Sequence, residues 1–190
     1  MKAVEPIRDI KKITAIKELL KQESNPRNYL LFVLGVNLGL RISDLLRLKI
    51  KDVLDSQGNI AEYINIRESK TKKEKKIKIN QISREAIEYF FKNVKLNEPD
   101  QYLFRSEEEN KPIDRVRVWQ LIQSWTRKVG LKGNFGTHTL RKTWGYQARQ
   151  KGKTIEQVSA KLGHRSVIVA RRCIGIDQDE INQIEDEVNI

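Results

Sequence analysis

The chain has 190 residues, 38% of them hydrophobic, which is enough for one cored domain, and no run approaches the ~20 apolar residues needed to cross a bilayer. Its 37 lysines and arginines exceed 25 aspartates and glutamates for a net charge of +12, which favours a polyanionic partner; no basic amphipathic helix with bulky aromatics points to an anionic membrane instead. The single cysteine, Cys173, excludes an internal disulfide framework, and with no apolar signal segment in residues 1–6 it predicts a reducing, cytoplasmic setting.

Along the chain, residues 10–21 form the first predicted helix, with Ile13, Ile16, Leu19 and Leu20 on one stripe. Asn25 followed by Pro26 is a helix start, and the strongly apolar stretch 29–38 marks that second helix as central to the core. Gly39 ends it and a short helix over 43–48 follows, so Arg41 falls at a helix junction, free to point at a ligand. Residues 55–59 read as a turn, and 60–67 and 75–79 as two strands, with Ile77 and Ile79 on one face. The intervening 68–74 is a hairpin with a lysine-rich tip. Helices are then expected over 83–94, 114–129, 139–151 and 154–162, the last opened by a capping box of Thr154 and Gln157 and closed by Gly163. Ser166 caps a further helix carrying Cys173. The tail, 177–190, holds six acids and no base, leaving the rest of the chain at +18. The expected architecture is mainly α, one helical domain over 1–176 with a small antiparallel sheet (an α+β arrangement), followed by the acidic tail.

The charged and polar residues at the helix ends suit one kind of chemistry. Cleaving a phosphodiester with a side-chain nucleophile builds charge on the non-bridging oxygens, which fixed guanidinium groups stabilise, while other groups move protons to and from the attacking and leaving atoms. Arg41 and Arg141 supply a two-arginine clamp. His138 lies one turn before Arg141, and His164 follows the glycine break after the next helix. These are the chain's two histidines, and both sit in short polar segments rather than on an apolar stripe, which sets them apart from ordinary core histidines.

With the segments Gly39-Leu40-Arg41-Ile42-Ser43-Asp44, His138-Thr139-Leu140-Arg141 and Leu162-Gly163-His164 in this order, the chain resembles the tyrosine recombinases, or phage integrase family. The resemblance covers about residues 10–176. It implies a helical catalytic domain whose catalytic residues here are Arg41, Lys70, His138, Arg141 and His164, with Asp44 supporting the pocket. Lys70 is preferred as the hairpin general acid because Ser69-Lys70-Thr71 resembles the family's hairpin lysine, with Lys72 as the alternative. The family's nucleophile is a tyrosine nine residues after the last histidine, and Cys173 stands there. A cysteine sulfur is a whole ring short of a tyrosine hydroxyl, so cleavage by the chain as it stands is expected to be weak or absent. Lys72, Lys73, Lys75, Lys76, Arg165, Arg171 and Arg172 are assigned to electrostatic contacts with DNA phosphates.

The resemblance further implies double-stranded DNA as partner and self-association on it. An apolar stripe of Ile181, Ile184 and Val188 in the tail suits docking on a neighbouring protomer or on the chain's own basic body. Many members carry an additional amino-terminal domain; this chain is similar in length to short inversion recombinases that lack it, or is a piece of a longer protein. With no carboxylate cluster and no Walker-type glycine loop, no metal and no cofactor are expected. Two functions compete, a site-specific recombinase and a non-catalytic DNA-binding regulator on the same scaffold. A helix-turn-helix repressor would leave the paired histidines and arginines unexplained.

Overall fold

The computed structural model describes residues 4–175 except 71, 96–97, 107–110 and 165, together with 182 and 185–188. Arg165, the boundary at 176 and the tail positions Ile181 and Ile184 lie outside the described residues.

Helix α1 (Ile10–Gln22) starts where Asp9 accepts a hydrogen bond from the Lys11 amide at 2.7 Å, and it buries Ile13, Ile16 and Leu20. Helix α2 (Pro26–Leu38) begins with the Asn25 side chain accepting from the Asn28 amide at 3.0 Å, and Pro26 supplies the fixed first turn. Leu30, Leu31, Val33 and Leu34 have no exposed surface, so α2 is apolar all round and can only be central. Gly39 ends it with φ 65°, a left-handed cap that turns the chain sharply into α3 (Ile42–Leu45). The short helix expected over 43–48 is therefore earlier and briefer, and a further turn, α4 (Ile50–Val53), follows that the sequence pattern does not announce.

Strands β1 (Tyr63–Arg67) and β2 (Glu74–Lys78) pair antiparallel, with Ile64 opposite Ile77, Ile66 opposite Lys75 and Arg67 opposite Glu74. The expected strand over 60–67 starts three residues late because Ile60 makes an isolated bridge with Leu54 instead of joining the ladder. Helix α5 (Gln81–Asn93) starts earlier than expected, since Asn80 caps it by accepting from the Ser83 amide at 2.9 Å. Helices α6 (Arg115–Lys128), α7 (Thr139–Gln150), α8 (Ile155–Leu162) and α9 (Val167–Ile174) follow. The expected caps Asp114, Thr154 and Ser166 each bond the amide three residues on.

Two hydrophobic clusters result. The larger joins α1, α2, α5 and α6 with the inner face of the hairpin, and Phe32 meets Trp125 edge-on at 5.9 Å within it. The smaller comprises Ile155, Val158, Leu162, Ala170 and Ile174, flanked by Trp144 and Tyr146. Helix α7 bridges the two through two glycine crossings. A Cβ at Gly35 would lie 2.4 Å from Leu140 Cδ1, and one at Gly145 would lie 2.5 Å from Ile174 Cγ2. These close approaches set α7 hard against α2 on one side and α9 on the other. The segment ahead of α1 runs along α7 as a strap. The Ile7 amide donates to Thr143 Oγ1 at 2.8 Å, Gln147 donates to the Arg8 carbonyl at 2.7 Å, and Arg8 reaches the Gly175 carbonyl at 3.1 Å. Among the described residues no helix is long and apolar enough to cross a membrane.

Candidate active site

The elements converge on Arg141. Its side chain, 5% exposed, donates from Nη1 to the Gly39 carbonyl at 2.7 Å and from Nη2 to the Leu162 carbonyl. Gly39 and Gly163 are both left-handed helix caps, so one guanidinium ties the end of α2 to the end of α8. Those helix ends in turn present Arg41 and His164. Burial first, and then the charge of Arg41, lower the Arg141 pKa to about 10, while Cys173, Glu68 and Asp44 oppose the shift. Arg141 is still charged at neutral pH.

Arg41 caps α3 in an extended conformation and is partly exposed, with Nη1 2.8 Å from Glu68 Oε1. Asp44, buried in the next turn, accepts from the Ser69 amide at 2.9 Å and from the Ser69 hydroxyl. It thereby ties the root of the hairpin to α3.

His138 stands at the start of α7 and keeps a solvent-exposed edge, whereas His164 is half-buried after Gly163. Both imidazoles have lowered pKa values. For His138 the cause is burial, then Arg115, Arg141, Lys142 and Arg41. For His164, burial and then Arg141, Arg41 and Lys75 bring it down to about 4. His164 is therefore neutral at pH 7, a hydrogen-bonding group rather than a third cation. Its Nδ1 is buried with no hydrogen-bond partner among the described residues, as is Arg41 Nη1, whose approach to Glu68 is off-line for a hydrogen bond. The buried His164 Nδ1 is a polar atom that an incoming ligand would satisfy.

The depressed His164 value has a consequence for stability. Between about pH 4 and 6.5 the folded chain binds fewer protons than the unfolded one, so this contribution is complete above pH 6.5 and is lost as pH falls through about 4. Denaturant unfolding from pH 7 to pH 4 should show a loss on the order of 1 kcal/mol, solvent screening of the half-buried ring having reduced it, that disappears in His164→Gln. Parallel pH profiles for parent and variant would contradict it.

The expected lysines divide. Lys70 is exposed at the hairpin tip, and Lys72, Lys73 and Lys76 are exposed as well. Lys72 holds a left-handed φ of 57° in the turn, and Lys76 stacks 4.2 Å over the Tyr63 ring. Lys75, assigned from sequence to general phosphate contacts, instead points inward, 3.0 Å from Glu68 Oε1 and 3.0 Å from the Lys161 carbonyl. The sequence signal was available. Lys75 has the same strand parity as the buried Ile77 and Ile79, and Glu68 the same parity as Ile64 and Ile66. Arg171 and Cys173 are half-buried on α9 and Arg172 is exposed.

A helical domain with one two-stranded hairpin among the described residues, its buried Arg141 tying the end of α2 to the end of α8, has the architecture of a tyrosine recombinase catalytic domain. The model of the phage integrase family matches residues 8–173, and the chain belongs to that family, whose members are DNA strand transferases that recombine DNA at specific sites. It is 40% identical over 179 residues to the Bacillus subtilis (strain 168) protein "Probable integrase/recombinase YoeC", covering 94% of this chain and 93% of that one. It is 30% identical to tyrosine recombinase XerA of Pyrococcus horikoshii (strain ATCC 700860 / DSM 12428 / JCM 9974 / NBRC 100139 / OT-3) across 80% of this chain, but spans only about half, 51%, of that relative. Among solved structures, a XerA recombinase superposes with a TM-score of 0.75 at 20% identity, covering 100% of this chain and 67% of that one. A XerH recombinase bound to palindromic difH gives 0.72 at 18% identity, over 97% of this chain and 53% of that one.

Proposed function

We propose that the chain binds double-stranded DNA and is built for metal-free strand transfer at one phosphodiester, with Arg41, Arg141, His138 and His164 as the residues that receive it. The nucleophile gives its proton to a neutral imidazole and attacks phosphorus, the bond to the 5′ oxygen breaks, and that oxygen leaves with a proton from a general acid, so the 3′ phosphate becomes linked to the protein. Rejoining reverses the step with a new 5′ hydroxyl. One ester is exchanged for another, so no ATP is called for. The arginines neutralise the non-bridging oxygens, the neutral imidazoles hydrogen-bond them or the attacking group, and the hairpin lysine, Lys70 by resemblance, donates the proton. The single observation that carries this reading is that the buried Arg141 bonds the Gly39 and Leu162 carbonyls, so that one guanidinium from the first turn of α7, where His138 stands, joins the segments that bear Arg41 and His164.

Cys173 at the nucleophile position favours a second reading, in which the same pocket holds phosphates without cutting. Its sulfur is half-buried on α9 and stops a ring short of where a tyrosine hydroxyl would be. In both readings the solved XerH bound to a palindromic site supports self-association on DNA, because a palindrome presents the same half-site to two copies.

Binding separates either reading from a domain that does not use DNA. A duplex selected by the protein from a random pool should be bound with an affinity that falls about 10³-fold or more between 50 and 200 mM salt. Replacing Lys72, Lys73 and Lys76 together by alanine should flatten the log–log salt slope by roughly 3. A shallow slope, or one indifferent to the triple substitution, would remove the hairpin from the DNA interface. On a nicked form of the same duplex, a covalent adduct on a denaturing gel supports strand transfer, and binding without adduct supports the second reading.

A further inference from the structure

Beneath Arg41 lies a carboxylate that neither composition nor the resemblance to recombinases assigns. Glu68 follows β1 on the inward face already occupied by Ile64 and Ile66, so the pleat drives it into the protein. Its side chain is 2% exposed, yet it contacts two cations, Arg41 Nη1 at 2.8 Å and Lys75 Nζ at 3.0 Å. Those cations are 17% and 24% exposed. The acid is thus the floor of the pocket, with the bases above it.

That ordering separates two roles. A carboxylate occupying the phosphate's own place would stand at the mouth, where a duplex arrives from solvent. Glu68 lies behind the cations, where it fixes both charged heads and leaves their outer surfaces to a ligand. Lys75 is held from a second side by the Lys161 carbonyl at 3.0 Å, and passes so close to Gly163 that a Cβ there would lie 3.1 Å from its Nζ. Gly163 thus leaves room for the ammonium to stand beside the residue that precedes His164.

We propose that Glu68 is a positioning residue of the strand-transfer site and that Lys75, which it holds together with Arg41, is a phosphate-facing cation of that site. The assignment rests on the strand-transfer reading above. Fixing two long, flexible cations before DNA arrives removes the entropy that binding would otherwise have to overcome, and a buried carboxylate lets them approach each other without repulsion. The site thereby couples α3, the hairpin and the end of α8 through three side chains.

The test uses the Cys173→Tyr chain on a nicked duplex carrying its selected site. Glu68→Gln should form adduct about 100-fold more slowly while binding the duplex as tightly as before or more tightly, because a negative charge has gone but the cations are no longer held. Glu68→Asp should recover part of the rate. Faster adduct formation would instead make Glu68 a placeholder for phosphate, and an unchanged rate would deny it any role; either overturns the proposal. A second readout needs no cleavage. In the free, unsubstituted chain, Lys75→Met should raise the midpoint of the His164 imidazole titration by NMR, whereas Lys92→Met, at an exposed position of α5, should leave it in place. If Lys75→Met does not move it, the ammonium is not in the site and the proposal fails. Should the Cys173→Tyr parent form no adduct, the strand-transfer reading falls, while the titration still decides where Lys75 sits.

Discussion

Replacing Cys173 by tyrosine is expected to raise covalent adduct formation on a nicked duplex by about 100-fold or more, from a background that the native thiol barely supports. The reason is reach rather than reactivity. Residue 173 lies on α9, a helix packed through Ile174 against Gly145 of α7, and a Cβ at Gly145 would already clash at 2.5 Å. The helix has no room to shift inward so that a short side chain can reach phosphorus. Position 173 is itself only half-buried, on the helix packed against α7, which carries Arg141, so there is room for an aromatic ring to project from it. Duplex affinity should change little, since the arginines and hairpin lysines carry it. Equal adduct yields from the native chain and Cys173→Tyr would show that residue 173 is not at the nucleophile position.

Arg141→Ala should do two things at once. It should abolish adduct formation in the Cys173→Tyr chain, and it should lower unfolding stability by about 3 kcal/mol, because the Gly39 and Leu162 carbonyls lose a buried charged donor. Arg141→Lys restores charge but cannot bridge two carbonyls, and should recover little of either. Arg41→Ala offers the contrast. It should remove adduct formation with a smaller loss of stability, since Glu68 keeps Lys75 as a partner. Paired melting curves and gel assays check both. If Arg141→Ala melts like the parent, the guanidinium does not tie α2 to α8.

How far the sequence speaks for itself depends on how local the determinant is. Helix starts at Asn25, Asp114, Thr154 and Ser166 are legible because a capping side chain bonds an amide only three residues away. The centrality of α2 is legible in its all-round apolar surface. The order of Arg41, His138, Arg141 and His164 is legible through the family resemblance, and the fold brings them together. Arg141's ties to Gly39 and Leu162 were not legible, because they link residues 102 and 21 positions apart. The strap ahead of α1 was missed for the same reason, since Ile7 is buried only once α7 lies beneath it. Lys75 and Glu68 are an intermediate case. Strand parity marks both as inward-facing, but a run of lysines reads first as a solvated tip, and only the paired hairpin separates Lys75 from its neighbours.

Strand transfer at this site requires both guanidinium groups to act on the same phosphate. The most direct measurement replaces the one scissile phosphate of the selected site by a neutral methylphosphonate and compares adduct formation by Cys173→Tyr chains carrying Arg41→Ala or Arg141→Ala. Removing the oxygen's charge removes the need for the arginine that neutralises it, so both variants should regain adduct on the methylphosphonate duplex relative to the ordinary one. If neither variant is rescued at that position, the two arginines do not share a phosphate.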